Sequence, residues 1–331
     1  MSKNKHPFKM DLQRFASNII DRSGAEALMP EDVSREIIQG VPENSVIMRM
    51  GTKAQNMSRK QRRVPVLSSL PMAYFVDGDI GRKQISKMLW ENKFFEAEEL
   101  AVIIPIPEAV LDDTDYDLWG EIKPRILEAI GVAFDQAVLF DVNAPQTWPK
   151  GLLAQCTTAG NVVTLGTGAD LFEDLLGEDG IISQIEEDGF MANGHIAAMS
   201  MRGKLRSVRD TQNNPIFLTS MQAPGSYVLD GAPIEFPKNG AMIAEEALMF
   251  TGDFSQLVYA LRQDVTYKLL TEAVIQDNTG AIIYNLAQQD MVALRVVIRL
   301  AWQIPNPINR VNQNAATRLP FAALKPAAGT P

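Results

Sequence analysis

The chain has 331 residues, 46% of them hydrophobic and 21% charged, with a formal net charge of −9 and a mean hydropathy near zero; this is globular composition, long enough for two subdomains with a sizeable core. A single cysteine, Cys156, excludes an internal disulfide framework and a cysteine-built zinc site and fits folding in a reducing cytoplasm; the absence of any eighteen-residue apolar run excludes a spanning helix, and the basic N-terminus lacks a signal peptide's apolar stretch. The acidic balance excludes a nucleic-acid binder that relies on a broadly basic surface, so DNA, if met, is contained rather than gripped.

Residues 1–30 carry Phe8, Leu12, Phe15 and Ile19 at helical spacing without a core of their own, which predicts an arm that needs a partner surface; a partly disordered tail is the alternative. Pro30, Glu31 and Asp32 mark a helix start, and Val33, Ile37, Ile38 and Val41 line the side of a helix that stops before Pro42. The run SVIMRM at 45–50 reads as a strand, after which GTKAQNMSRKQRR turns polar and basic. From Val64 to Trp90, short apolar runs interrupted by Pro65, Pro71, Gly78 and Gly81 predict an extended hairpin with its tip near VDGDIGRK. A loop of that length without a core usually lies on something else.

Alternation over 96–106 puts Glu98, Leu100, Val102, Ile104 and Ile106 on one face of a strand. After DDTDYD, a helix over 118–142 places Ile122, Ile126, Ile130, Phe134 and Val138 at intervals of four, with Pro124 either kinking it or opening its regular part. NAPQTWPKG at 143–151 is the expected subdomain junction. Beyond it we expect helices near 168–176 and 180–188, a strand at 195–200, short strands around 215–219 and 226–236, and a helix carrying Phe254, Leu257, Val258 and Leu261 towards 267–275. Residues 291–304 form the strongest strand pattern: Val292, Leu294, Val296, Ile298, Leu300, Trp302 and Ile304 share a face, with Arg295, Arg299 and Gln303 opposite. So long a strand must pack along something equally long, and the helix at 118–142 is the candidate.

Catalytic and metal motifs are missing. Only His6 and His195 are present, which excludes a multi-histidine metal site; His195 lies in an apolar strand without a nominated nucleophile and reads as a structural histidine. No G-x-S-x-G, H-E-x-x-H or P-loop occurs, and GTG at 166–168 reads as a turn. Asp113, Asp115 and Asp117 have the opening spacing of a calcium loop, but Leu118 stands at the glycine position and Pro124 at the closing glutamate, so a solvated helix start with Asp117 as cap is the better reading. A soluble α+β enzyme is thereby disfavoured, and no catalytic residue, metal or cofactor is expected.

Charge segregation is the more useful signal. Arg59, Lys60, Arg62, Arg63, Arg82, Lys83 and Lys87 oppose only Asp77 and Asp79 over 58–87, whereas 91–121 is acid-rich with Lys93 its one cation. Two solvated faces would give the same pattern, but a basic projecting hairpin and an acidic strand also suit contact between neighbouring copies. The interface candidates are Arg59, Arg62, Arg63, Arg82, Lys83, Lys87, Glu98, Glu99, Asp112, Asp113 and Asp115.

From about Ala27 to Trp148, the runs PVLSSLPMAYFV, QISKMLWENKFFEAEELAVIIPIPEAVLDD and YDLWGEIKPRILEAIGVAFDQAVLF resemble the major capsid proteins of tailed bacteriophages. The resemblance implies an α+β protein of the Hong Kong 97-type fold, shared with encapsulin shells. It implies an N-terminal arm at 1–30, an extended loop at 58–92, a peripheral domain from 31–57, 93–149 and 263–318, an axial domain at 150–262, and a closing axial segment at 319–331. It further implies self-assembly into the hexamers and pentamers of an icosahedral head, in the host bacterial cytoplasm, around DNA held without sequence-specific contacts and away from membranes. Portal and head-decoration or completion proteins would be partners. Many relatives carry a cleaved N-terminal scaffolding segment; too little chain precedes Ala27 for one of that size, so a separate scaffolding protein or none is expected. Some relatives form Lys–Asn isopeptide bonds from the loop, where Lys83 and Lys87 lie, but no partner asparagine is matched here. An encapsulin-type nanocompartment is the alternative reading.

Overall fold

The structure, a computed structural model, describes residues 45–73, 75, 85–109, 118–209, 227–277 and 279–327. The expected arm, the helix at 31–41, the hairpin tip, the acid run and the strand at 215–219 lie outside the described residues.

The long strand β13 (Met291–Gln303) organises the first half of the molecule. It pairs antiparallel with β10 (Val258–Leu270) on one side and β4 (Glu98–Pro107) on the other, and β1 (Thr52–Lys53) adds to β10, giving the order β1-β10-β13-β4. Arg299 opposes Glu99, and Leu294 opposes Ile104, so the alternating apolar sets of β13 and β4 fall on one face. The helix α2 (Leu118–Phe140) lies against that face: Ile126, Ile130, Phe134 and Val138 share one core with Leu294, Val296, Ile298, Leu300 and Trp302. Each such side chain contributes about 1.5–3 kcal/mol on burial, which is why the expected pairing of long helix and long strand forms. Pro124 sits inside the helix without ending it; α2 stops instead where Asp141 and Asn143 adopt left-handed φ of 65° and 52°, a conformation their short polar side chains tolerate.

A six-stranded sheet forms the second layer, in the order β5 (Val162–Thr164), β14 (Phe321–Lys325), β9 (Met249–Gly252), β6 (Gly194–Ala197), β8 (Ala232–Glu235) and β7 (Val228–Leu229). The end of the chain thus returns as an inner strand of this sheet, between β5 and β9. Gly252 makes that approach possible, because a Cβ there would collide with the Phe321 ring and the Pro320 carbonyl. The helices α4 (Leu171–Leu176) and α5 (Ile181–Glu187) follow the expected positions, with Asp170 capping the first through Glu173 N at 3.0 Å. Between the sheets, α3 (Leu152–Ala159) buries Leu152 and Cys156, and Phe140 meets Phe250 edge-on at 5.6 Å, so packing is continuous across 143–151.

Three expectations give way to tertiary contacts. Residues 45–50 form a helix, α1 (Val46–Met50), instead of a strand, because its first N–H groups find acceptors in Ser45 and in Asp135 of α2. The strand at 195–200 ends at Ala197, and α6 (Met199–Ser207) follows, burying Met201 and Leu205 one turn apart. The helix expected from Phe254 is one short 3₁₀ turn, Phe254–Gln256, followed by strand β10; pairing along the length of β13 overrides the helical spacing.

Candidate assembly surface

The expected hairpin is present as β2 (Gln61–Ser69) and β3 (Leu89–Glu96), paired antiparallel from Gln61 opposite Glu96 to Ser69 opposite Leu89. Its root is fixed: Met57, Phe95 and Ala97 pack on Ala260 and Ala301, on the sheet face away from α2. Ala97 N donates to Lys60 O at 2.8 Å, Trp148 Nε1 to Glu96 O at 2.9 Å, and Gln303 Nε2 to Phe94 O at 3.1 Å. Further out, Arg310 Nη2 donates to Pro71 O at 2.9 Å.

The charged candidates divide. Glu98 is taken within the chain: Lys60 Nζ lies 3.0 Å away and Thr147 Oγ1 donates at 2.9 Å. Burial raises its carboxyl, but the Lys60 and Thr147 hydrogen bonds and the Lys60 charge more than offset this and hold it below the usual glutamate value. Glu99 accepts two hydrogen bonds from Arg299, at 2.7 and 2.9 Å. Arg62 donates to Gln55 O at 3.1 Å. Arg59, Arg63 and Lys87 are exposed and make no ion pair among the described residues. Arg82, Lys83, Asp112, Asp113 and Asp115 lie outside the described residues.

The residue types that charge reading missed are apolar. Trp90 and Phe94, four apart on β3 and hence on one face, are 62% and 45% exposed, and Leu67 and Arg63 oppose them. Met72, Ile85, Met88 and Leu89 are also exposed, and Phe75 is wholly so at 106%. Exposed apolar side chains in this number along one hairpin mark an interaction site. The signal was in the sequence: aromatic residues, which concentrate at interfaces, occur in a segment without a core-facing period. A second hairpin, β11 (Val274–Gln276) with β12 (Ile282–Asn285), exposes Val274, Ile282, Ile283 and Tyr284.

The remaining chemistry is structural. His195 is buried, its Nε2 donating to Leu229 O at 3.0 Å and its Nδ1 accepting from the Thr251 hydroxyl at 3.0 Å. Burial lowers its pKa against the pull of the Leu229 bond and the Asp230 charge, so the imidazole is neutral and satisfied, as expected. Cys156 is buried with Sγ 3.5 Å from Phe321 O, and burial pushes its thiol up, away from reactivity. The GTG turn is held by the buried Asp174, which accepts from Gly166 N and Gly168 N at 2.7 Å each. Among the described residues no group of three or more His, Cys, Asp or Glu is placed to hold a metal, and no helix is long and apolar enough to cross a membrane.

Comparison with known proteins agrees with a surface built for association. The family model described as the phage capsid family matches residues 25–309. The chain is 30% identical over 310 residues to the major capsid protein of Staphylococcus phage 80alpha, covering 89% of this chain and 91% of that one. A structure from Microbacterium phage Oxtober96 superposes with a TM-score of 0.75 at 32% identity, covering 93% of this chain and 99% of that chain. One from Mycobacterium phage Adephagia gives 0.73 at 31% identity, covering 94% and 99%. At 15% identity and a TM-score of 0.61, over 86% of this chain and 91% of that chain, the fold is shared with the capsid of a native GTA particle computed with C5 symmetry. The chain therefore belongs to the phage capsid family: it is a phage major capsid protein, a structural, self-associating component of the virion shell.

Proposed function

We propose that this protein builds an icosahedral head of Hong Kong 97-type architecture that encloses double-stranded DNA. In this reading α2 and most of the sheet around β13 form the peripheral domain, with boundaries at 31–57, 93–149 and 263–318, the first residues of β10, 258–262, falling on the axial side. The six-stranded sheet forms the axial domain at 150–262, closed by 319–331, and residues 58–92 are the extended loop. Axial domains gather into hexamers and pentamers; pentamers accord with the C5 symmetry of the GTA capsid that shares the fold. The host cytoplasm is the site of assembly, and separate scaffolding, portal and completion proteins take part.

The observation that carries the reading is the hairpin. Its root is tied into the sheet, while its free length exposes Phe75, Trp90 and Phe94 that its own chain does not cover. Obligate interfaces commonly bury about 2,000–5,000 Å², and a reaching hairpin adds area without enlarging the core. Exposed Arg59, Arg63 and Lys87 supply cations for a neighbour's acidic surface. Electron microscopy and sedimentation of the purified protein test the reading: closed shells with five- and six-fold capsomers are expected, and a monomer or small oligomer under all assembly conditions would overturn it. Phage-length DNA inside particles isolated from infected cells separates a head from an encapsulin-type compartment.

A further inference from the structure

Between the start of β4 and α2 lies a cavity of about 140 Å³, lined mainly by apolar residues, among them Leu100, Ala133, Phe134 and Trp148, with Gln136 and Asn143 also on its wall. A cavity of roughly 150 Å³ with apolar walls admits a benzene molecule, so the volume suits one phenyl ring and is small for an indole. Glu98 and Glu99 also line it, already matched by Lys60 and Arg299, so they do not repel an apolar group as free carboxylates would. We propose that this cavity receives the Phe75 ring of a second copy of the chain. The inference rests on the hairpin being an arm that contacts a neighbouring subunit.

The occupant must come from another copy because of length. The cavity lies at the hairpin's own root, where Trp148 and Thr147 bond Glu96 and Glu98. Strand β2 carries the chain about 26 Å from that root, at roughly 3.3 Å per residue, before Phe75 is reached. Distal end on neighbouring root is a heterologous contact, the kind that closes a ring.

The test is a cysteine pair, Phe75→Cys with Ala133→Cys, introduced into the full chain and oxidised in assembled particles; native Cys156 is buried. A non-reducing denaturing gel should show a ladder of linked subunits that either single variant lacks. Separately, Phe75→Ala should raise the subunit concentration needed for assembly about tenfold, as removal of an interface anchor does. Particles without a ladder, with Phe75→Ala assembling at the wild-type concentration, would overturn the anchor and leave the shell reading standing. Failure of the wild-type chain to form shells would strike the shell reading itself. If the double variant does not assemble, the Phe75→Ala measurement decides.

Discussion

Asp135 shows how one residue can tie distant parts of the chain. Fully buried on α2, it accepts from Ser45 Oγ at 2.6 Å, Val46 N at 2.9 Å and Ile47 N at 3.2 Å, and so holds α1 by its N-terminus. Replacing it with alanine leaves three buried donors without acceptors, and we expect a loss on the order of 3 kcal/mol in urea unfolding of the unassembled subunit. Burial, opposed by the Ser45, Val46 and Ile47 hydrogen bonds and the Arg49 charge, raises its pKa from 3.8 to about 6. Between those values the folded state holds a proton that the unfolded state releases. The margin of wild type over Asp135→Ala should therefore be greatest below about pH 4, shrink towards pH 6 and stay level above it; a margin that grew with pH across this window would contradict the assignment. Nothing in the residues around Asp135 announced the role, because its partners lie about ninety positions away. His195 was legible as a structural histidine, since its place in an apolar strand predicts burial with both ring nitrogens hydrogen-bonded, as found.

At the scale of elements, α2 and β13 are one structural unit. Phe134 lies fully buried between the two, its ring edge-on to Trp148 at 6.1 Å. Phe134→Ala should cost about 3–5 kcal/mol, measurable as a lower denaturation midpoint. The hairpin should behave in the opposite way. Trp90→Ser with Phe94→Ser removes exposed apolar area, so subunit stability should change by no more than about 0.5 kcal/mol, while sedimentation shows assembly impaired. A large stability loss would mean that these rings pack on their own chain. The turn of the second hairpin is locally set: Asp277 accepts from the Thr279 hydroxyl and from Thr279 N and Ala281 N, which hold its carboxyl below the usual value.

For the whole molecule the question is how copies with a net charge of −9 come together. The internal pairs Lys60–Glu98 and Arg299–Glu99 remove charges that would otherwise face a neighbour, leaving Arg59, Arg63 and Lys87 as free cations among the described interface candidates. If these meet acidic surface on the next subunit, salt weakens the contact over a screening length of about 10 Å at 0.1 M. Reversing all three to glutamate should weaken assembly at low salt and flatten its salt dependence, followed by light scattering across a salt series. Unchanged assembly would remove the charge contribution and leave apolar burial as the force that joins subunits.

The sequence by itself determined the elements whose pattern is long and uniform. The four-residue stripe from Ile122 to Val138, the alternation of β4 and β13, and the broken apolar runs of the hairpin each repeat often enough to name one conformation. It also carried the family resemblance. Only the tertiary structure decided the segments without such a pattern. Residues 45–50 are helical because Asp135 caps them, and 258–270 are extended because β13 offers a ladder along their length. The tertiary structure likewise decided which charges and rings are available, since pairing of Glu98 and Glu99 and exposure of Trp90 depend on what lies across the fold. A local pattern fixes what a residue prefers, and the free energy of contacts distant in sequence fixes what it does.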